Sequence, residues 1–371
     1  MERKRLTSLD ALRGLAALSV VFWHWQHFFA ISGDWQPGWT RDMQPFYAVL
    51  KPFYLQGWAA VDLFFVLSGF VFFWLYSEQV RTRAIGAGRF AWLRFSRLYP
   101  LHLLMLIAVA VMQVWFFRSH DGSFFVYGAN DVLHFVLNLL FVQNWWPNMP
   151  QSFDGPSWSV SIEVMLYVVF FAACRLGLRA GWGALAVAAI GIPLLWIDGH
   201  IARGFIGFFM GGVVYALWDR LRTASNAHAI ARAATIASVA GWVGLYTALY
   251  RDWMPSGEGN ITFSILFGFG LCPLTVLALA LREHLGRSST WLGTLGDISY
   301  ATYMIHFPLQ LALALLAARF ALAPQFFMQS WVMPTFFAVL IALGFATYHL
   351  FERPVQNRLR ALVPRQPAPA E

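Results

Sequence analysis

Long apolar stretches alternate with short polar ones along almost the whole chain. A helix needs about 20 mostly apolar residues to cross a bilayer. Windows that approach this length occur at residues 11–31, 56–77, 98–117, 131–146, 157–176, 181–197, 201–218, 229–250, 260–281, 298–318 and 328–350. The pattern predicts an all-α polytopic membrane protein.

The distribution of Lys and Arg indicates which windows cross. Cytoplasmic loops of membrane proteins collect these residues. With the N-terminus inside, 20 of the 26 fall on the cytoplasmic side, provided that one window does not cross. The weakest is 131–146, which is short and contains His134, Asn138, Gln143 and Asn144. We therefore predict ten transmembrane helices, a re-entrant or interfacial helix at 131–146, and cytoplasmic N- and C-termini.

The same pattern predicts one integral-membrane domain over residues 1–355, followed by a disordered cytoplasmic tail at 356–371 that is rich in Pro and Ala. The N-terminus has the basic start and apolar core of a signal peptide. Asp10 and Arg13 interrupt it, so we expect a retained first span.

Composition argues against an ordinary soluble domain, a nucleic-acid-binding protein, and a protein held by disulfides or metal. The chain is 59% hydrophobic and only 12% charged, against about 25% in soluble proteins. Loop charge explains the net charge of +8, so we expect no nucleic-acid partner. Cys174 and Cys272 are far apart, and the chain has no HExxH motif, so we expect neither a disulfide framework nor a metal site.

Two histidines, His24 and His27, lie inside the first span, in the stretch "SVVFWHWQHFF". Ionisable groups within spans are costly and mark functional sites. Helical spacing places Asp10, Arg13 and His24 on one stripe, with His24 about 16 Å beyond Arg13 and close to mid-bilayer. His24 can act there as a general base or as a structural hydrogen-bonding group. Asp10 and Arg13 can form an ion pair or a phosphate clamp at the cytoplasmic mouth.

A carboxylate lies at depth in the fifth span, which begins "GPSWSVSIEVMLY". Glu163 is expected about 9 Å into the membrane from the outer side, where a carboxylate must be paired, protonated or exposed to water. Ser159 and Tyr167 offer hydroxyl groups close by. Glu163 is therefore a second candidate for chemistry.

Five arginines cluster between residues 78 and 97, on the cytoplasmic side. Arg94 and Arg97 are three residues apart and share a helix face. Guanidinium groups bind phosphate bidentately, so this pair can recognise a phosphorylated ligand. Topology determination and lipid headgroup binding are the alternatives.

Further polar residues occur in the second and tenth spans. Asp62 lies near the outer end of the second span, and Ser68 and Gly69 near its middle favour close helix packing. In the tenth span Tyr300 and Tyr303 share a face, and His306 precedes Pro308, which is expected to kink the helix.

Six motifs in this order resemble the integral-membrane acyltransferase-3 family: "LDALRGLAALSVVFWH", "VDLFFVLSGF", "RFSRLYP", "PSWSVSIEVMLY", "GDISYATYMIHFPL" and "ERP". They extend over residues 9–354. Ala11 replaces the family's usual glycine, and Val164 replaces its usual second acidic residue.

The resemblance implies transfer of an acyl group, often acetyl, from cytoplasmic acyl-CoA to a hydroxyl of a carbohydrate or glycosylated acceptor. It also implies the bacterial inner membrane, and the form without an extracytoplasmic hydrolase-like domain. Carried over, His24 and Glu163 are catalytic, and Arg13, Arg94 and Arg97 bind acyl-CoA. The expected supporting residues are Asp10, Asp62, Ser68, Trp158, Ser159, Tyr167, Tyr300, Tyr303 and His306.

His24 would deprotonate the acceptor hydroxyl, with transfer either direct or through an acyl-enzyme. Glu163 would orient His24 or hold the acceptor. The alternative function is a transporter that exports a glycolipid or a small acid, and a structural protein is a third class. The sequence indicates neither the acceptor nor the oligomeric state.

Overall fold

The computed structural model describes residues 6–255, 257, 260–286 and 293–362. Sixteen α-helices occur in these ranges: α1 Thr7–Trp23, α2 Tyr47–Gln56, α3 Ala60–Leu75, α4 Ser77–Arg81, α5 Ala87–Ser119, α6 Val132–Leu139, α7 Trp158–Arg175, α8 Trp182–Leu194, α9 Gly199–Leu221, α10 Ala227–Tyr250, α11 Ile261–Ile265, α12 Cys272–His284, α13 Gly293–Asp297, α14 Ser299–Arg319, α15 Val332–Thr347 and α16 Arg353–Ala361. Two short strands, β1 Ala30–Ile31 and β2 Asp34–Trp35, pair antiparallel after the first helix.

The all-α membrane architecture predicted from the sequence is confirmed. Within the described residues, eight helical segments are long and apolar enough to cross a membrane: Tyr47–Leu75, Ala87–Ser119, Gly155–Arg175, Gly199–Leu221, Ala227–Tyr250, Ile261–His284, Ser299–Arg319 and Val332–Ala361. The other two predicted spans correspond to α1 with its extension and to α8, which at 13 residues is about 20 Å long. The count of ten, and the placement of the termini, stay predictions.

Several boundaries differ from the predicted ones. The helix expected across 131–146 ends at Leu139, so α6 has eight residues and is too short to span a bilayer. Helix α5 begins at Ala87, eleven residues before the predicted span, and therefore includes Arg94 and Arg97. The predicted disordered tail begins too early, because α16 continues to Ala361, and residues 363–371 lie outside the described residues.

Helix α1 changes to a 3₁₀ helix at His24, and this segment continues to Phe29. The bulky sequence "HWQHFF" is a poor α-helix former, because aromatic side chains lose freedom against the preceding turn. A 3₁₀ helix has three residues per turn, so side chains three apart lie above each other. The rings of His24 and His27 accordingly stack, with their centroids 4.5 Å apart.

Helices α3 and α9 pack closely through glycine. A Cβ atom added to Gly69 would overlap the carbonyl group of Phe208, and one added to Gly211 would overlap the backbone of α3. Packing through small residues is typical of helix contacts in membranes. The packing expected near the middle of the second span is therefore due to Gly69, while the neighbouring Ser68 has a polar contact described below.

Candidate active site

A cavity of about 460 Å³ opens among α1, α3, α5, α7, α14 and the C-terminal segment. Ten of the fourteen site residues predicted from the sequence line it: Asp10, Arg13, Ser68, Arg94, Arg97, Ser159, Glu163, Tyr167, Tyr300 and Tyr303. They come from five helices that are distant in sequence. The fold therefore brings most of the predicted site together.

Arginines dominate one part of this cavity. Arg94 is buried in an aromatic cage, with its guanidinium carbon 4.8 Å from the ring centroid of Tyr76 and 5.0 Å from that of Phe72. It donates a hydrogen bond to Tyr76 Oη (2.7 Å), and its buried Nε has no partner among the described residues. Arg97 lines the cavity one turn along α5 and forms no ion pair within the described ranges.

Sequence reasoning missed a further arginine. Arg360 lies in α16, in the segment expected to be disordered, yet it lines the same cavity and is close enough to Arg94 and Arg97 to be repelled by both. Gln356 and Glu352 also line this wall. The amphipathic pattern of "RPVQNRLRA" could have indicated a helix here.

Arg13 is the most firmly held of the cavity arginines. Its Nε donates to Ser299 Oγ (2.9 Å) and its Nη2 donates to the Gly296 carbonyl (2.9 Å). Nη2 also lies 3.1 Å from an oxygen of Asp10, which gives the predicted ion pair. Because both side chains line the cavity, the pair does not exclude the phosphate clamp.

Glu163 lies in the cavity at the level where α3 and α7 face each other. Its Oε1 accepts hydrogen bonds from Ser68 Oγ and Tyr167 Oη, both at 2.6 Å. Its Oε2 has no hydrogen bond among the described residues. Glu163 makes no contact with His24, so the expectation that it orients His24 has no support in these contacts.

The cavity ends at Tyr303 and Ser159. The lining residues of α1 stop at Arg13, those of α14 stop at Tyr303, and those of α7 begin at Ser159. Tyr303 Oη bonds the Pro156 carbonyl (2.7 Å) and Ser159 Oγ (2.8 Å) across this end. Tyr300 donates to the Leu98 carbonyl lower on the same face.

His24 and His306 lie one helical turn beyond that end and do not line the cavity. Both are buried, and Nε2 of His306 is 2.8 Å from Nδ1 of His24. His306 Nδ1 contacts the Tyr303 carbonyl. Gln310, four residues further along α14, donates to the His24 carbonyl (2.9 Å).

His27 belongs to the same buried group. Its Nδ1 is 3.0 Å from Gln310 Oε1, and its Nε2 is 3.3 Å from Tyr127 Oη. Sequence reasoning missed Gln310 and Tyr127. The spacing of His306 and Gln310, four residues apart on one helix, was an available signal for the first, whereas Tyr127 lies in an irregular segment without a pattern.

Asp62 and Trp158 lie outside the cavity and belong to a structural ion pair. Asp62 is 2.8 Å from Arg203 Nε, and the two side chains are 2% and 6% exposed. The Arg203 guanidinium also stacks over Trp58 and Trp158. Arg203 lies in α9, where it balances the buried carboxylate of Asp62.

A buried acid that sequence reasoning missed precedes the fifth span. Asp154 is 1% exposed, and neither carboxylate oxygen has a hydrogen-bond partner among the described residues. Burial raises the pKa of this carboxyl well above its ordinary value.

Among the residues that the structure describes, no three His, Cys, Asp or Glu side chains are grouped so that they could hold a metal ion.

The fold and cavity define a polytopic membrane protein with an arginine-lined chamber below a buried histidine pair. Residues 6–350 match the acyltransferase-3 family, described as "Acyltransferase domain". The chain belongs to this family. No solved structure matches it.

Among its relatives is the acyltransferase MdmB of Streptomyces mycarofaciens, with 29% identity over 82% of this chain and 78% of that protein. The peptidoglycan O-acetyltransferase OatA of Listeria monocytogenes is 22% identical over 83% of this chain and 50% of its own length. The putative peptidoglycan O-acetyltransferase YrhL of Bacillus subtilis is 24% identical over 95% and 55%. The chain thus spans about half the length of the latter two.

Proposed function

We propose that the protein transfers an acyl group, acetyl in the first instance, from cytoplasmic acyl-CoA to a hydroxyl of a carbohydrate or glycosylated acceptor. One observation carries this proposal. A chamber lined by arginines ends at Tyr303, and one helical turn further along α14 lies His306, which contacts the buried His24. The arginines of α1, α5 and α16 would bind phosphate, and the histidine pair of the α1 extension and α14 would transfer the proton.

The donor end is suited to a polyphosphorylated ligand. Arg94, Arg97 and Arg360 line the same cavity and form no ion pair among the described residues, although the Glu163 and Glu352 carboxylates attract Arg97. Their guanidinium groups can therefore bind an entering anion directly. Arginine binds phosphate with paired, charge-assisted hydrogen bonds. Bound this way, coenzyme A directs its thioester toward Tyr303 and Ser159.

His24 then acts as the general base. Its imidazole removes the proton of the acceptor hydroxyl, whose oxygen attacks the thioester carbonyl. The C–S bond breaks, and the thiolate takes the proton from His24, so the products are the acyl ester and free thiol. A positioned base contributes roughly 10²–10⁴ in rate. Tyr303 and Ser159 lie between the cavity and His24, so the thioester must pass them.

Glu163 is assigned to the acceptor rather than to His24. Its Oε2 is free to accept a hydrogen bond, while Ser68 and Tyr167 hold the group in place through Oε1. A sugar hydroxyl is a suitable donor to such a carboxylate. The names of OatA and YrhL, peptidoglycan O-acetyltransferases, support a carbohydrate acceptor. We place the protein in a bacterial inner membrane with both termini cytoplasmic.

Radiolabelled acetyl-CoA tests the proposal with purified protein in lipid vesicles. We expect free thiol to be released and label to appear as an ester when a carbohydrate acceptor is supplied. Movement of label across the vesicle without thioester cleavage would instead identify a transporter and contradict the proposal.

A further inference from the structure

The contacts of His306 determine which nitrogen of His24 is basic. We infer that His306 is a positioning residue that accepts a hydrogen bond from His24 Nδ1–H and leaves His24 Nε2 as the base. This inference rests on the proposed function, in which His24 takes the proton of the acceptor hydroxyl. It assigns to His306 a role that neither the family match nor the relatives specify.

The first step follows from a carbonyl group. The Tyr303 carbonyl oxygen can only accept, so the contacting Nδ1 of His306 must carry hydrogen. His306 is buried and no acidic side chain contacts it among the described residues, so the neutral ring is favoured. A neutral ring has one N–H, so His306 Nε2 is an acceptor.

The second step transfers this assignment to His24. His24 Nδ1 lies 2.8 Å from the accepting Nε2 of His306, so it must be the donor. The planes of the two rings differ by 15°, and their centroids are 4.9 Å apart. The remaining nitrogen, His24 Nε2, then has a free lone pair, and it makes no hydrogen bond within the described ranges.

A second set of hydrogen bonds indicates that His27 is not the general base. Gln310 uses its NH₂ group on the His24 carbonyl, so its Oε1 must accept from His27 Nδ1–H. The other nitrogen, His27 Nε2, then accepts from the hydroxyl of Tyr127. Both nitrogens of His27 are therefore occupied, whereas one nitrogen of His24 is free.

During the reaction the proton arrives at His24 Nε2 and leaves from the same atom to the departing thiolate. His306 accepts from Nδ1–H throughout and stabilises the transient imidazolium. A carboxylate has this role in hydrolase triads, where loss of the correct tautomer costs about 10⁴ in rate. The titratable groups that face His24 are His27 on its own segment and His306 on α14. Tyr127 lies against His27, and Tyr303 lies against His306.

Two substitutions separate positioning from packing. His306→Gln places an amide oxygen where Nε2 was and restores an acceptor for His24. His306→Asn keeps an amide group near the Tyr303 carbonyl, but it is too short to reach His24. The exposed His228→Asn serves as the matched control. We expect kcat to fall roughly 100-fold or more in His306→Asn with an unchanged KM, and less than about tenfold in His306→Gln.

Histidine ¹⁵N NMR of the full chain in nanodiscs measures the tautomer of His24 in the absence of substrate. The protein has ten histidines, so the His24 signals are assigned by their loss in His24→Ala. We expect a protonated Nδ1 and a bare Nε2 in the wild type and in His306→Gln, and the opposite tautomer in His306→Asn. The pH profile of kcat should shift only in His306→Asn.

A protonated Nε2 in wild-type His24 would overturn the inference, even if a variant fails to fold. Equal losses in the Gln and Asn variants with an unchanged tautomer would also overturn it, because that pattern indicates packing alone. Full turnover in His24→Ala would instead refute His24 as the base, and the NMR result would still stand by itself.

Discussion

Nδ1 of His24 lies 2.8 Å from Nε2 of His306, although 282 residues separate them in the chain. The contact joins the end of α1 to the middle of α14. Among the described residues, the only other hydrogen-bonding partner of these two rings is the Tyr303 carbonyl, which contacts His306. The chemistry proposed for the protein depends on this pair and on the cavity below it.

Arg97 is predicted to bind the phosphates of the donor. Arg97→Gln removes a cation that is free of ion pairs among the described residues. We expect the KM for acetyl-CoA to rise about tenfold to a hundredfold, because charge-assisted hydrogen bonds contribute about 1.5–3 kcal/mol. Initial rates at varied acetyl-CoA concentration measure this. Arg118→Gln removes the same charge from the exposed far end of α5 and should leave the KM unchanged. An altered acceptor KM alone would contradict the assignment.

Glu163 is predicted to bind the acceptor. Glu163→Gln removes the charge that makes its oxygens strong acceptors, so we expect the acceptor KM to rise at least about tenfold. The KM for acetyl-CoA should stay the same or fall, since a negative charge near the donor phosphates is lost. The exposed Glu78→Gln is the control. The assignment is wrong if only the donor KM increases.

Asp62 is predicted to be structural. Asp62→Asn leaves Arg203 buried without its counter-ion, and removal of one partner of a buried pair costs about 3–5 kcal/mol. We expect a lower unfolding temperature in detergent and a normal kcat for the folded fraction. Asp252→Asn breaks the exposed pair with Lys51 and should have little effect on unfolding. A stable but inactive Asp62→Asn protein would contradict the structural role and would indicate that Asp62 takes part in the reaction.

Asp154 is predicted to make the stability depend on pH. Because its folded-state pKa is raised, the folded protein binds this proton more tightly than the unfolded chain does. Stability therefore decreases as pH rises through the ordinary Asp pKa of about 3.9 and toward the raised value. Asp154→Asn should unfold at a higher temperature than the wild type near pH 8 and at a similar one near pH 4. Asp121→Asn, an exposed change of equal charge, should show no such dependence.

The sequence predicted the membrane architecture because apolar windows of span length are a strong signal. It also singled out Arg13, Arg94, Arg97 and Glu163 through family motifs, but it expected Glu163 near His24 and not in the cavity of the arginines. The change to a 3₁₀ helix at His24 was not predicted, because the apolar window around it is long enough for one α-helical span and its weak α-helix propensity was not weighed. The α-helical stripe therefore placed Arg13 correctly in the cavity but gave no indication that His24 and His27 would stack.

Long-range partners explain the other differences. The pairing of Arg203 with Asp62 was not predicted, because 141 residues separate the two in the chain. The sequence could not show whether His306 positions His24 or is only a buried hydrogen-bonding group. That distinction depends on which nitrogen of His24 contacts His306. Arg360 was missed because the Pro- and Ala-rich composition at the end of the chain led to a prediction of disorder from residue 356, which includes most of α16.

Consumption of labelled acetyl-CoA by His24→Ala and His27→Ala, compared with the wild type in vesicles, tests the central claim most directly. We predict that His24→Ala loses roughly 10²–10⁴ in rate while it still binds acetyl-CoA and unfolds at the wild-type temperature, and that His27→Ala keeps most of its activity. Normal acceptor acylation by His24→Ala, or the reversed pattern with His27→Ala inactive, would contradict the account.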